Sequence, residues 1–207
     1  MSVKVKICGI TSAADGLAAA AAGADMIGLM FYEKSPRYLS VAAAAEVARH
    51  LPPFLTRVGV FVEAPEELVR RAIGECGLQV AQFHGNETPE FCTRFGVMSL
   101  KAFRMRDAAS LAALPEYPTD AWLLDAYAPG QLGGTGERFN WDLAVQAQKL
   151  GRPIFLAGGL TPENVAAAVH QVRPFGVDVS SGVESAPGRK DAAKMRAFIQ
   201  AAKAAAQ

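Results

Sequence analysis

Two residues of this chain end apolar runs in a way that suits proton transfer. Cys8 closes Val3–Cys8 and Asp125 closes Ala121–Asp125. A thiolate can take a proton and a protonated carboxyl can give one. Side chains alternate along a strand, so Lys4, Lys6 and Cys8 share one face and Val3, Val5 and Ile7 share the other. With the apolar face packed outward, Cys8 points into the mouth of the fold and Lys6 lies one layer below. A positive charge there is expected to lower the thiol pKa from about 8.5 and raise the thiolate fraction. The competing reading is a buried, inert thiol. Asp125 is costly at the end of an apolar strand unless it is solvated, paired or used. Its competing role is to cap the following turn.

Three glycine segments could hold an anion. Gly158-Gly159-Leu160 and Ser181-Gly182-Val183 each follow a β-branched run, and glycine lets backbone N–H groups approach a phosphate closely. Gly133-Gly134-Thr135-Gly136 lies in a longer segment, 126–140, of the length used by lids and binding loops. The alternatives are tight turns and a hinge without ligand. Arg37, in Ser35-Pro36-Arg37, could grip a carboxylate with two prongs, or be a surface arginine. His84, after Gln82-Phe83, could line a pocket or be a satisfied core histidine. Asp178 on the last strand candidate is expected to pair with Lys6 below Cys8, if the sheet closes.

The elements that position these residues alternate. Strand candidates are Val3–Cys8, Met26–Met30, Arg57–Val62, Gln79–Phe83, Met98–Phe103, Ala121–Asp125, Ile154–Ala157 and Val177–Ser180. Helical stretches are Ser12–Ala22, Val41–His50, Pro65–Cys76, Thr88–Phe95, Ala108–Leu114, Trp141–Leu150, Pro162–Val172 and Asp191–Ala206. Gly23, Gly77, Gly96, Gly151 and Gly176 fall between helix and strand, where left-handed caps belong. Thr161-Pro162 reads as an N-cap with proline in the first helical position. Acids in Glu66-Glu67 favour a helix start. Strict βα alternation predicts a parallel sheet with right-handed crossovers. Eight units predict one closed β/α barrel spanning residues 1–207, an eight-stranded doubly wound sheet being the alternative. In a barrel, chemistry belongs at the C-terminal ends of the strands, where all the residues above fall.

Composition narrows the partners. The chain has 207 residues, 51% of them hydrophobic, and a net charge of +1 without a basic stripe. Disorder and nucleic-acid binding are therefore disfavoured. The Ala-rich run from Leu17 to Ala24 is too short to span a bilayer, and the first residues carry no apolar signal core. Cys8, Cys76 and Cys92 are too few and too spread for a disulfide framework or a CxxC metal site, so a reducing, cytoplasmic setting is expected. The helical faces are Ala-rich without an evident sticky surface, which suggests a monomer.

Taken together, these segments resemble the phosphoribosylanthranilate isomerase family of tryptophan biosynthesis. The matching stretches run from Lys6-Ile7-Cys8-Gly9-Ile10-Thr11 through Ser35-Pro36-Arg37, Gln82-Phe83-His84-Gly85, Asp125, Gly133-Gly134-Thr135-Gly136 and Ala157-Gly158-Gly159-Leu160. They end in Asp178-Val179-Ser180-Ser181-Gly182-Val183-Glu184 and Pro187-Gly188-Arg189-Lys190-Asp191. The resemblance implies an Amadori rearrangement of a small phosphoribosyl substrate, with no cofactor and no metal. It assigns Cys8 as general base, Asp125 as general acid and Arg37 as the group holding the anthranilate carboxylate. A related ribotide isomerase of the histidine pathway would carry an acid in place of Cys8. A metal-dependent epimerase would need more than the three histidines present. A non-catalytic phosphosugar-binding barrel would keep the glycine turns and lose the acid–base pair.

Overall fold

The computed structural model describes residues 2–126 and 141–206. Eight strands form a closed barrel in sequence order, each parallel to its neighbours. They are β1 Lys4–Cys8, β2 Met26–Met30, β3 Thr56–Phe61, β4 Val80–Phe83, β5 Met98–Met105, β6 Ala121–Ala126, β7 Ile154–Leu156 and β8 Gly176–Val179. The α-helices between them are α1 Ala13–Ala22, α2 Val41–Arg49, α3 Glu66–Cys76, α4 Pro89–Thr93, α5 Trp141–Gln148 and α6 Val165–Val172, with α7 Ala192–Ala205 at the end. The closed barrel, rather than the open sheet, is the architecture.

Alternation along each strand divides the apolar side chains into two layers. One face of the strands packs on the helices: Val5, Ile7, Leu29 and Phe83 are fully buried in the same cluster as Ala19, Val69 and Phe198. The other face fills the barrel with Val58, Val80, Leu100, Leu123 and Phe155. Each large side chain so buried contributes about 1.5–3 kcal/mol. Local signals set the helix starts. The Ser12, Ser40 and Thr88 side chains accept from the N–H groups of Asp15, Ala43 and Phe91, and Asp191 accepts from Ala193 and Lys194. Such caps are worth about 1 kcal/mol each.

The structure differs from the sequence expectation at four places. The stretch after β5 is a 3-10 helix, Ala108–Glu116, rather than an α-helix; it opens on a tight capping box in which the Asp107 side chain accepts from the N–H groups of Ala109 and Ser110. The helix expected from Pro162 begins at Val165, because the Asn164 side chain accepts from the Thr161 N–H and closes a turn first. Gly176 is not a cap. The left-handed residue after α6 is Arg173, φ 50°, while Gly176 opens β8 beneath the Phe155 ring. Finally, β9 Glu184–Ala186 and β10 Arg189–Lys190 form an antiparallel hairpin before α7 that periodicity did not reveal.

No described helix is long and apolar enough to cross a membrane. At the N-terminal end of the barrel Phe54 is 98% exposed, and Met98 and Phe175 are about half exposed, around a shallow hollow. These side chains belong to loops and a strand start, not to the helical faces.

A Cβ at position 176 would fall onto the Phe155 ring and 3.1 Å from the Lys4 carbonyl oxygen. Gly176→Ala is therefore expected to lower stability by about 1–3 kcal/mol through overpacking. Urea unfolding measures this; an unchanged midpoint would contradict the packing described.

Candidate active site

The strand ends open into a cavity of about 570 Å³ lined by Cys8, Arg37, His84, Asp125, Asp178, Gly158, Gly159, Ser181 and Gly182. Every sequence-derived site residue among the described ones thus faces a single space. Gly134 lies outside the described residues, as does most of the segment 126–140.

Cys8 ends β1 opposite Gly28 of β2, and a Cβ on Gly28 would come 2.8 Å from its sulfur. One layer down, Lys6 is fully buried and its Nζ donates to Asp178 Oδ1 at 2.9 Å. The two residues are direct partners in the β1–β8 register, as closure of the barrel requires. The electrostatic outcome corrects the sequence expectation. Burial pushes the Cys8 thiol above its ordinary value; Lys6 pulls it down, Asp178 pushes it back up, and Lys190 pulls down more weakly. The ammonium below the thiol is already paired, so desolvation wins. For Lys6, burial acts downward, but Asp178 and then Cys8 outweigh it and hold the ammonium above its ordinary value.

Asp125, next to last in β6, is almost fully buried. Its Oδ2 lies 3.3 Å from His84 Nε2, close enough for an ion pair but not aligned as a hydrogen bond. His84 Nδ1 lies 3.3 Å from Gln82 Nε2. Among the described residues, His84 Nε2 and Gln82 Oε1 are buried without a hydrogen-bond partner. In this cavity a ligand hydroxyl can satisfy them. The loop carrying His84 is pinned from below. Lys101 on β5 donates to the Gly85 carbonyl at 2.7 Å and to Glu87 at 3.0 Å, and Glu87 accepts from the N–H groups of Glu63 and Gly85.

Arg37 reaches the rim from the loop after β2. Its Nε and Nη2 donate to the two carboxylate oxygens of Glu184, both at 2.7 Å. Glu184 in turn accepts from Lys190 Nζ at 2.8 Å. Burial would raise the Glu184 carboxyl, but Arg37 and Lys190 overcome it and hold the group below its ordinary range.

The loops after β7 and β8 form another side of the cavity. Gly158 and Gly159 both have positive φ, 82° and 65°, which only glycine adopts without strain. Gly182 presses against the Leu160 carbonyl, with no room for a Cβ. The two loops therefore touch through backbone.

Sequence reasoning missed Glu184, Lys190 and the Lys101–Glu87 pair. It named Glu184 and Lys190 only as parts of matching stretches. Alternation from the inward-facing Gln82 would have turned His84 into the cavity, a signal that was available.

A β/α barrel with an acid, a thiol, an arginine and glycine turns around one mouth defines a phosphosugar isomerase by class. Comparison with known proteins narrows this. The family model for N-(5'-phosphoribosyl)anthranilate isomerase matches residues 5–201. The enzyme of that name from Geobacter sp. (strain M21) is 56% identical over 200 residues, covering 97% of this chain and 98% of its own length. The crystal structure of phosphoribosyl anthranilate isomerase from Thermotoga maritima has a TM-score of 0.92 at 40% identity, covering 98% of this chain and 99% of that one. A structure of the isomerase in complex with reduced 1-(o-carboxyphenylamino)-1-deoxyribulose 5-phosphate has a TM-score of 0.89 at 39% identity, covering 98% and 99%. The chain belongs to the N-(5'-phosphoribosyl)anthranilate isomerase family, enzymes of tryptophan biosynthesis.

Two measurements check the site. Burial also raises Cys76 to about 11 and Cys92 to about 12. All three thiols of the ligand-free protein should therefore titrate above the ordinary thiol range. Ultraviolet titration of thiolate would expose the contrary case, a low-titrating thiol missing from Cys8→Ala. Gly182→Ala should part the two loops and raise KM roughly tenfold or more, a loss typical of charge-assisted hydrogen bonds; steady-state kinetics with unchanged KM would contradict this.

Proposed function

We propose that Asp125 and Cys8 carry the proton transfers of the family's reaction. That reaction converts N-(5-phospho-β-D-ribosyl)anthranilate to 1-(2-carboxyphenylamino)-1-deoxyribulose 5-phosphate. Arg37 meets the anthranilate carboxylate, and the turns at Gly158-Gly159 and Ser181-Gly182 hold the phosphate. The observation that carries this reading is that the acid, the thiol and both glycine turns line one cavity.

The chemistry follows in order. Asp125 gives its proton to the furanose oxygen while the anilino nitrogen pushes in its lone pair. The C1'–O bond breaks and a C1'=N iminium forms. The thiol, disfavoured as an anion by burial, now faces a cation. Opposite charge nearby favours the thiolate, so the first step prepares the second. With its own S–H proton released to solvent, Cys8 as thiolate takes the C2' proton, the electrons move toward nitrogen, and the enolamine that results tautomerises to the ketone. His84, beside Asp125, and Gln82 are the hydrogen-bonding groups next to the acid. The phosphate contacts supply binding energy remote from the reacting carbons and orient the sugar between acid and base. Lys6 and Asp178 neutralise one another beneath the sulfur, so the floor of the site carries little net charge.

The reading includes a monomer working in the cytoplasm, for which the three free thiols suit a reducing setting. Sedimentation velocity tests the monomer directly. The exposed Phe54 makes that measurement informative.

Cys8→Ala and Asp125→Ala should each lower kcat by about 10²–10⁴-fold with thermal melting unchanged. The assay is the loss of substrate fluorescence on turnover. Wild-type turnover in either variant would overturn the assigned roles, and a wild-type chain that only perturbs the fluorescence would be a binder.

A further inference from the structure

Arg37 extends from an exposed loop, and a long side chain there has many rotamers available. Three features remove that freedom. Gly9 leaves a space that the arginine stem fills: a Cβ at position 9 would strike Arg37 Cδ and come 3.2 Å from Cγ. The Ser35 hydroxyl accepts the Arg37 backbone N–H at 3.1 Å. Above all, Glu184 takes the guanidinium through two bonds of 2.7 Å each.

Glu184 is itself held by contacts other than the arginine. Its side chain is 5% exposed. It is the register partner of Lys190 across the β9–β10 hairpin, and Lys190 Nζ donates to it at 2.8 Å. Lys190 Nζ also donates to the Ser180 carbonyl, at 3.2 Å, at the base of the loop after β8. Lys194 Nζ donates to the Glu184 carbonyl at 2.9 Å. The hairpin is held to the first loop, where Thr11 Oγ1 donates to the Gly188 carbonyl. A fork-to-fork pair fixes the guanidinium plane as well as its position. With the Nε–Nη2 edge on Glu184, the end-on Nη1–Nη2 edge is what remains for a second carboxylate.

We propose that Glu184 is a positioning residue that sets the Arg37 guanidinium so that its free edge reads the ring carboxylate of the substrate. It acts through Arg37 and does not touch the reacting atoms. The enzyme's preference for an ortho-carboxylated aryl amine therefore depends on a residue 147 positions away in sequence. The inference rests on the role of Arg37 given above.

The test uses two borohydride-reduced product analogues, one carrying the ring carboxylate and one made from aniline without it. Each is titrated against wild-type protein, Arg37→Met and Glu184→Gln. Glutamine keeps the shape; its amide oxygen can keep Lys190 and Arg37 Nε, but its NH2 then meets the Arg37 Nη2 donor. Wild-type protein should prefer the carboxylated analogue by roughly tenfold or more, the range of charge-assisted hydrogen bonds. Arg37→Met and Glu184→Gln should both reduce that preference to near unity, with the aniline analogue bound as before. In turnover, KM of Glu184→Gln should rise by more than kcat falls. Glu184→Asp, which keeps the charge but shortens the reach, should fall between and serves if the glutamine variant does not fold. Discrimination lost in Arg37→Met but kept in Glu184→Gln would overturn the proposal alone. No discrimination in wild-type protein would overturn the role of Arg37 and this proposal with it.

Discussion

The barrel closes on a buried ion pair. β1 and β8 are the first and last strands of the sheet, and Lys6 meets Asp178 in direct register across their seam. Neither charge is tolerable there alone, since an uncompensated charge in the interior costs several kcal/mol. The pair therefore ties the two ends of the sheet to a single register. A slip by one residue would turn Cys8 outward and Ile7 inward. The height and direction of the thiol at the mouth follow from that one contact.

The same pair explains the character of the thiol. A lysine beneath a cysteine suggests an activated nucleophile, but this lysine is already neutralised by a carboxylate. What the sulfur experiences is chiefly the loss of water. A buried thiol that burial keeps protonated is less open to oxidation and alkylation, because those reactions need the thiolate. The rim repeats the pattern with Arg37, Glu184 and Lys190. In both places cations are paired with carboxylates, one to one at the floor and two to one at the rim.

How far the sequence reaches depends on the distance over which each feature is decided. Strand positions were legible because β-branched runs and the βα alternation are local; β2 matches its expected limits to the residue. The pairing of Lys6 with Asp178 was legible because closure follows from eight parallel units. Helix starts such as that of α6 were not, since Asn164 competes with Thr161 for the same turn and composition does not decide between them. Gly176 was misassigned because a glycine needed for packing under Phe155 looks the same in sequence as a glycine needed for a left-handed cap. The partner of Arg37 was illegible for another reason. The hairpin that presents Glu184 is only a few residues long, too short for periodicity to report. The direction of the Cys8 shift required the depth of burial, which a strand pattern does not contain.

The interior of the barrel is filled by Val58, Val80, Leu100, Leu123 and Phe155. That filling has a consequence for the molecule as a whole: the barrel is a stoppered tube. Among the described residues, this apolar layer separates the reactive mouth from the aromatic hollow at the opposite opening, and no residue lines both. Solubility and association can thus be tuned at one opening while the other stays committed to its chemistry.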